Sequence, residues 1–191
     1  MTTVSRTRFN SGKDLCLGFF REFWDEGAIE IPQGGRVLEI GCAEADWLTP
    51  MKATRPDLHL TGTDQRDHPA RPGADLLVRG NVMDQTLFPQ WTFDAIIAVS
   101  VLEHVGVGRY GDPVDECGDI RAMANLRHWL KPNGVLYFDV PWRPWGPSTP
   151  FRQYNETDLQ NRLLLGWRIE RRREFYPDHP DGPYVAVVVR P

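Results

Sequence analysis

The sequence is short of cysteine and lysine, and each shortage excludes a class of protein. Its three cysteines, Cys16, Cys42 and Cys117, stand far apart and form no CxxC pair, so neither a disulfide framework nor a zinc site is indicated. Only three of its 22 basic residues are lysine, and the arginine majority favours fixed, fork-like contacts over mobile point charges. Basic charge is not in excess either: 26 acidic residues leave a net charge of −4, without the footprint of a nucleic-acid binder. No run approaches about 18 consecutive apolar residues, and the opening MTTVSRTRFNSGKD has no apolar signal core. The expectation is a soluble, cytoplasmic protein with no membrane or nucleic-acid partner.

What is present is a core. Of 191 residues 41% are apolar and seven are tryptophan, enough to build one domain over 1–191. Residues 1–30 read as a tail and a helix, and 31–191 as the folded body. Ser11 followed by Asp14 resembles a capping box, opening a helix whose stripe of Leu15, Phe19, Phe20, Phe23 and Trp24 suits core packing better than a ligand box. Short apolar runs at 36–40, 58–62, 75–78, 95–99 and 135–140 then alternate with helical stretches near 44–54 and 116–130. That alternation predicts βαβ units and a parallel sheet in an α/β fold. Pro50 makes the first crossover helix kink or begin near Thr49. The last third changes character. A helix over 155–165, capped by Asn155 or Thr157 and closed by Gly166, precedes two strands at 167–175 and 184–190 joined by the turn-rich YPDHPDG.

The strongest motif is VLEIGCAEADW, in which an apolar strand enters a tight turn at Gly41 and leaves as a helix. Such a turn aims backbone N–H groups at a ligand. The dinucleotide pattern G-x-G-x-x-G is poorly met, because Ala43 takes the second glycine position and Asp46 the third. Downstream come LTGTD, GNVMD and FDAIIAVSVLEHV, each closing a predicted strand.

Taken in register, these four segments resemble class I S-adenosylmethionine-dependent methyltransferases over roughly residues 30–190. The resemblance implies a Rossmann-like sheet of seven strands in the order 3-2-1-4-5-7-6, with strand 7 antiparallel. It implies that Glu39 anchors the turn from beneath and that Gly41, Cys42 and Ala43 line the methionine moiety. Asp64, with Gln65 beside it, is expected to hold the ribose, since an ionised Asp offers acceptors to both hydroxyls. Asn81 and Val82 fall where the family holds adenine, with Asp84 as the nearby alternative, and Ser100 sits at the exit of the fourth strand. A nicotinamide-dependent oxidoreductase shares the first strand, the glycine and the acidic residue, but predicts neither Asp46 nor the terminal hairpin. A non-catalytic binder of S-adenosylmethionine is the alternative from another class.

The acceptor should lie beyond the carboxyl ends of the strands. LEHVGVGRYGDP and KPNGVLYFDVPW are similar to a poorly characterised group of methyltransferase-like proteins related to those of polysaccharide and secondary-metabolite pathways. His104 is the candidate general base, with a backbone-bonded structural histidine as the other reading. Arg109 and Tyr110, flanked by glycines, suit a catalytic clamp on an anion or vicinal hydroxyls; alternatively Arg109 pairs with Asp112 in a turn. Trp142, Trp145, Arg152 and Tyr154 follow the fifth strand as candidate substrate contacts, although packing also explains the tryptophans. The turn with Tyr176, Asp178 and His179 should reach the same rim. Metal-dependent relatives carry a carboxylate where this chain has Ser100, so Glu103 and His104 lack a third ligand and no metal is expected. The run Arg171-Arg172-Arg173 falls on an edge strand, where charge blocks further pairing. The reading is a methyltransferase of small acceptors, working as a monomer or homodimer, with O-methylation in a secondary-metabolite or saccharide pathway the first expectation.

Overall fold

A computed structural model describes residues 12–44, 46–67, 70–142, 151–175 and 183–191. The chain runs α1 (Gly12–Asp25), β1 (Arg36–Ile40), α2 (Leu48–Thr54), β2 (His59–Asp64), β3 (Leu76–Arg79), β4 (Phe93–Val99), α3 (Gly118–Trp129), β5 (Leu130–Pro141), α4 (Glu156–Asp158), β6 (Arg168–Phe175) and β7 (Tyr184–Arg190). Short 3₁₀ turns follow β3 and β4, and α4 continues as one π-helical turn over Leu159–Leu163.

The strands form one sheet in the order β3-β2-β1-β4-β5-β7-β6. β1, β2, β3, β4 and β5 pair in parallel, whereas β7 runs antiparallel between β5 and β6. This is the expected class I methyltransferase order. Alternation along each strand sorts side chains to two faces. Leu38, Ile96, Leu136 and Val187 pack with Ala122, Met123, Leu126 and Trp129 of α3. Their neighbours Val37, Ile97, Tyr137 and Val188 pack with Phe19, Phe20 and Phe23 of α1 and Met51 of α2. Burying an aromatic such as Phe20, wholly inaccessible here, stabilises the fold by about 1.5–3 kcal/mol. The aromatic stripe of α1 is therefore core.

Several boundaries move. β2 runs to Asp64 rather than ending at Gly62, because its last residues pair with β3 through Thr63↔Val78 and Asp64↔Arg79. β5 begins at Leu130, five residues before the expected start, since Leu130 pairs with Phe93 across an irregularity in β4. The helix expected over 44–54 is confined to Leu48–Thr54, with Pro50 in its first turn where no N–H is needed. Asp46 takes the N–H of Thr49 at 3.0 Å and its hydroxyl at 2.7 Å. Asn155 caps the 156–163 turn by accepting from Asp158 N–H. Ser11, Trp145 and the turn with Tyr176, Asp178 and His179 lie outside the described residues.

The basic run is consumed locally on β6, an edge strand. Arg172 pairs with Glu156 and Glu174, and Arg173 with Glu22 of α1 and Glu26 just beyond it. Inside, Asp119 at the start of α3 is inaccessible and accepts a two-point bond from Arg162 and one from the Tyr154 hydroxyl at 2.9 Å. Tyr154, expected to touch substrate, is instead a buried tether between the segment after β5 and α3. Losing one partner strands the others away from water, so Asp119→Ala should destabilise the fold by about 2–4 kcal/mol and Tyr154→Phe by about 1 kcal/mol. Urea denaturation checks both values. Tyr154→Phe should also leave the acceptor KM unchanged, and a large rise in that KM would restore Tyr154 to the substrate site.

Candidate active site

The sheet reverses its strand order between β1 and β4, and a cleft opens there beyond the carboxyl ends. Its walls include Ile40 and Gly41 after β1, Thr63, Asp64, Gln65 and Arg66 after β2, and Gly80, Asn81 and Val82 after β3. Ser100, Val101, His104, Val105, Tyr110 and Asp112 close it on the β4 side.

The turn after β1 is fixed first. Gly41 adopts φ 76°, a left-handed backbone that costs glycine nothing. Its N–H donates to Thr63 O at 2.8 Å, tying the turn to β2. Ala43 N–H points at Asp64 Oδ2, 3.1 Å away. From the β2–β3 connection Arg71 donates to the carbonyls of Cys42 and Ala43 at 2.7–3.0 Å. Nothing in the local sequence marks Arg71, which holds the motif's carbonyls from nearly thirty positions away. Of the three residues expected along the methionine moiety, Gly41 alone lines the cleft. Cys42 is buried with its thiol against Gly62, and Ala43 contributes its N–H behind the wall. Glu39 is buried within β1, two residues before the Gly41 turn.

Asp64 lies at the end of β2, almost inaccessible, and accepts from Arg66 as well as from Ala43. Burial pushes its pKa up, but the Arg66 side chain and N–H, with Ala43 N–H, outweigh it and hold the carboxyl below its ordinary value. Asp64 is therefore ionised at neutral pH. Asn81 Oδ1 accepts Met83 N–H at 2.9 Å, closing an Asx turn and leaving one lone pair and the amide N–H groups for a ligand. Asp84 is turned away into a cap on Thr86. Asn125 and Trp129 of α3 hold the carbonyls of Val82 and Gln85 at 2.9 Å, so α3 fixes this wall from behind.

On the β4 side Ser100 takes φ 49°, uncommon for a residue with a side chain. Asp139, buried on β5, accepts its N–H at 3.0 Å, and its hydroxyl donates to Glu103 at 2.6 Å. His104 follows, its Nε2 3.8 Å from Glu103 Oε1 and its side chain 17% exposed. The ring packs edge-on against Tyr110 and Phe151. Burial pushes the Tyr110 phenol up, against the nearby Arg109 and Arg66, so it stays a protonated donor at neutral pH.

The glycine-flanked loop is organised by Asp112, which sequence reading assigned only as a partner for Arg109. Asp112 instead accepts Gly106 N–H at 2.6 Å, Tyr110 N–H at 3.3 Å and Gln65 Nε2 at 3.4 Å. The pattern D-P after three spaced glycines was the available signal. Gly106 has φ 75°, and a side chain there would run into Asp115 O. Arg109 is exposed beside the cleft, its guanidinium 5.3 Å from the Tyr110 ring, rather than among the lining residues. Arg152 is a staple: its backbone N–H donates to Glu103 O, and its guanidinium to the carbonyls of Val105 and Asp115. Trp142 is half-buried beneath Arg172, 4.9 Å from its ring, and bridges to Tyr154. Neither Arg152 nor Trp142 lines the cleft. Sequence reading missed Glu44, Thr63 and Arg66, which do.

The strand order, the Gly41 turn and a carboxylate ending β2 together define the class I methyltransferase fold. The methyltransferase-domain family matches residues 14–181, and the chain belongs to that family. Solved structures share the fold over nearly the whole chain. A 1,6-didemethyltoxoflavin N1-methyltransferase from Burkholderia thailandensis, solved with 1,6-didemethyltoxoflavin and S-adenosylhomocysteine, is 16% identical with a TM-score of 0.64, covering 98% of this chain and 92% of its own. The N-methyltransferase NodS from Bradyrhizobium japonicum, solved with S-adenosylhomocysteine, is 19% identical with a TM-score of 0.62, covering 95% and 88%. The [4+2]-cyclase SpnF is 14% identical with a TM-score of 0.66, covering 97% and 84%. No curated protein matches at a significant level. The residues at the cleft suit the cofactor of this class, and the chain is an S-adenosylmethionine-dependent methyltransferase.

Proposed function

We propose that this methyltransferase acts on a small-molecule acceptor, with a hydroxyl oxygen as the atom methylated and His104 as the base. The observation that carries the reading is the cleft itself, which both Asp64 and His104 line. When bound, S-adenosylmethionine supplies an electrophilic methyl group. The chain's residues do the rest. Asp64 and Asn81 hold the nucleoside end, while His104 takes the proton from the acceptor as its oxygen becomes nucleophilic. Tyr110 donates from the side, and Arg109 at the rim grips an anionic or hydroxylated part of the acceptor. Net charge of −4, with Arg172 and Arg173 spent on local ion pairs, favours a small acceptor over nucleic acid.

No helix among the described residues is long and apolar enough to cross a membrane. The proposed setting is the cytoplasm, as monomer or homodimer, in a secondary-metabolite or saccharide pathway. Two of the structural neighbours named above are N-methyltransferases, so an amine is the second acceptor to try. One is a cyclase, so transfer itself must be measured. The test is a screen of sugars, phenols, amines and small acids, read as S-adenosylhomocysteine released and as methyl added by mass spectrometry. Cofactor binding without turnover on any class would favour a regulatory binder instead. Once an acceptor is found, EDTA is expected to leave the rate unchanged, because Ser100 stands where metal-dependent relatives carry a carboxylate. Loss of activity on chelation, restored by magnesium, would contradict this role for Glu103 and His104.

A further inference from the structure

Asp64 is the group expected to receive the two ribose hydroxyls, and its acceptor sites are full. A carboxylate offers about four lone-pair positions. Oδ1 takes Arg66 N–H and Arg66 Nε, both at 3.0 Å, and Oδ2 takes Arg66 Nη2 at 3.0 Å and Ala43 N–H at 3.1 Å. Two of these donors are backbone and fixed by the turns around them. The other two are the parallel N–H groups of one guanidinium, spanning both oxygens as a vicinal diol would.

We propose that Arg66 is a built-in competitor for the ribose subsite, a residue that sets cofactor affinity by occupying Asp64 until the cofactor's diol replaces it. The proposal rests on Asp64 being the ribose acceptor. Two further contacts make the exchange feasible. Arg66 Nη1 is 2.6 Å from Glu44, and its Cζ lies 4.2 Å from the centre of the Tyr110 ring. A guanidinium leaving Asp64 thus keeps an anion and an aromatic face, and swings rather than losing every partner. Its side chain is 29% exposed, against 4% for Asp64, so the arginine is the member free to move. The apparent affinity is then the intrinsic one reduced by the fraction of molecules in which Asp64 is released.

Calorimetry with S-adenosylhomocysteine, adenosine and 2′,3′-dideoxyadenosine tests this on the intact chain. Arg66→Met should bind S-adenosylhomocysteine and adenosine at least about fivefold more tightly than the unaltered protein. Dideoxyadenosine has no diol, need not displace Arg66, and should bind both proteins alike. Arg66→Lys, with charge but no fork, should show a smaller gain for the diol ligands, and equal melting temperatures would exclude a folding effect. Unchanged or weaker S-adenosylhomocysteine binding by Arg66→Met overturns the proposal, as does an equal gain for dideoxyadenosine, which a merely reshaped cleft would give. Asp64→Ala separates the two levels. If it leaves S-adenosylhomocysteine affinity intact, the ribose assignment itself fails. If it weakens binding while Arg66→Met brings no gain, the assignment stands and the competitor does not.

Discussion

His104→Ala is expected to lower kcat by about 10²–10⁴-fold while leaving S-adenosylhomocysteine affinity within about twofold. The separation follows from position. Asp64 ends β2, whereas His104 stands in the turn after β4, against Tyr110 and Phe151. Removing a base that works only as the acceptor loses its proton costs transition-state stabilisation and little ground-state binding. Arg109→Ala should do the reverse and raise the acceptor KM, because a rim clamp holds substrate and transition state alike. The pH profile gives an independent check. A general base must be neutral, so activity should rise with pH through the range in which an imidazole loses its proton. That acid limb should vanish in His104→Ala. Near-full activity with an unaltered profile would make His104 structural, and positioning alone would then carry the reaction.

Asp64→Ala is expected to weaken S-adenosylhomocysteine binding by about 10–150-fold. Two ribose hydroxyls would be taken from water without their acceptor, a loss of about 1.5–3 kcal/mol. NAD should bind neither protein, and tight NAD binding with no response to S-adenosylhomocysteine would sink the cofactor assignment. The pH dependence has a definite sign. Asp64 is held below its ordinary value in the folded protein, so its stabilising contribution is complete above the unfolded carboxylate's pKa and is lost as pH falls through the folded one. Cofactor affinity should accordingly stay flat through neutrality and fall only below the ordinary carboxylate range. A decline near neutral pH would point to another titrating group.

The fold was legible because its signals are local. Apolar runs broken by helical stretches predicted the parallel sheet, and the resemblance supplied the reversed final strand. Boundaries failed where pairing with a distant strand extended an element, as at Leu130 opposite Phe93. The cofactor side was legible at Gly41, Asp64, Gln65, Asn81 and Val82, all of which line the cleft. These sit at strand ends, where chain position alone dictates which way a residue faces. The acceptor side was legible only in part. His104 and Tyr110 line the cleft; Arg152 and Tyr154 bind structural partners instead, and Trp142 packs under Arg172.

By itself, then, the sequence determined the order of elements, the turn at Gly41 and the carboxylate that closes β2, because periodicity and turn chemistry act over a few residues. Tertiary structure alone decided what each polar side chain faces. Tyr154 and Arg162 converge on Asp119 from some forty positions away, and Arg71 reaches back to Cys42 and Ala43. Arg66 is close to Asp64 in the chain and pairs with it, but its further contacts with Glu44 and the Tyr110 ring come from segments distant in the chain. A charged group withdrawn from water must find its partners in the protein, and the packing of distant segments determines which ones are within reach.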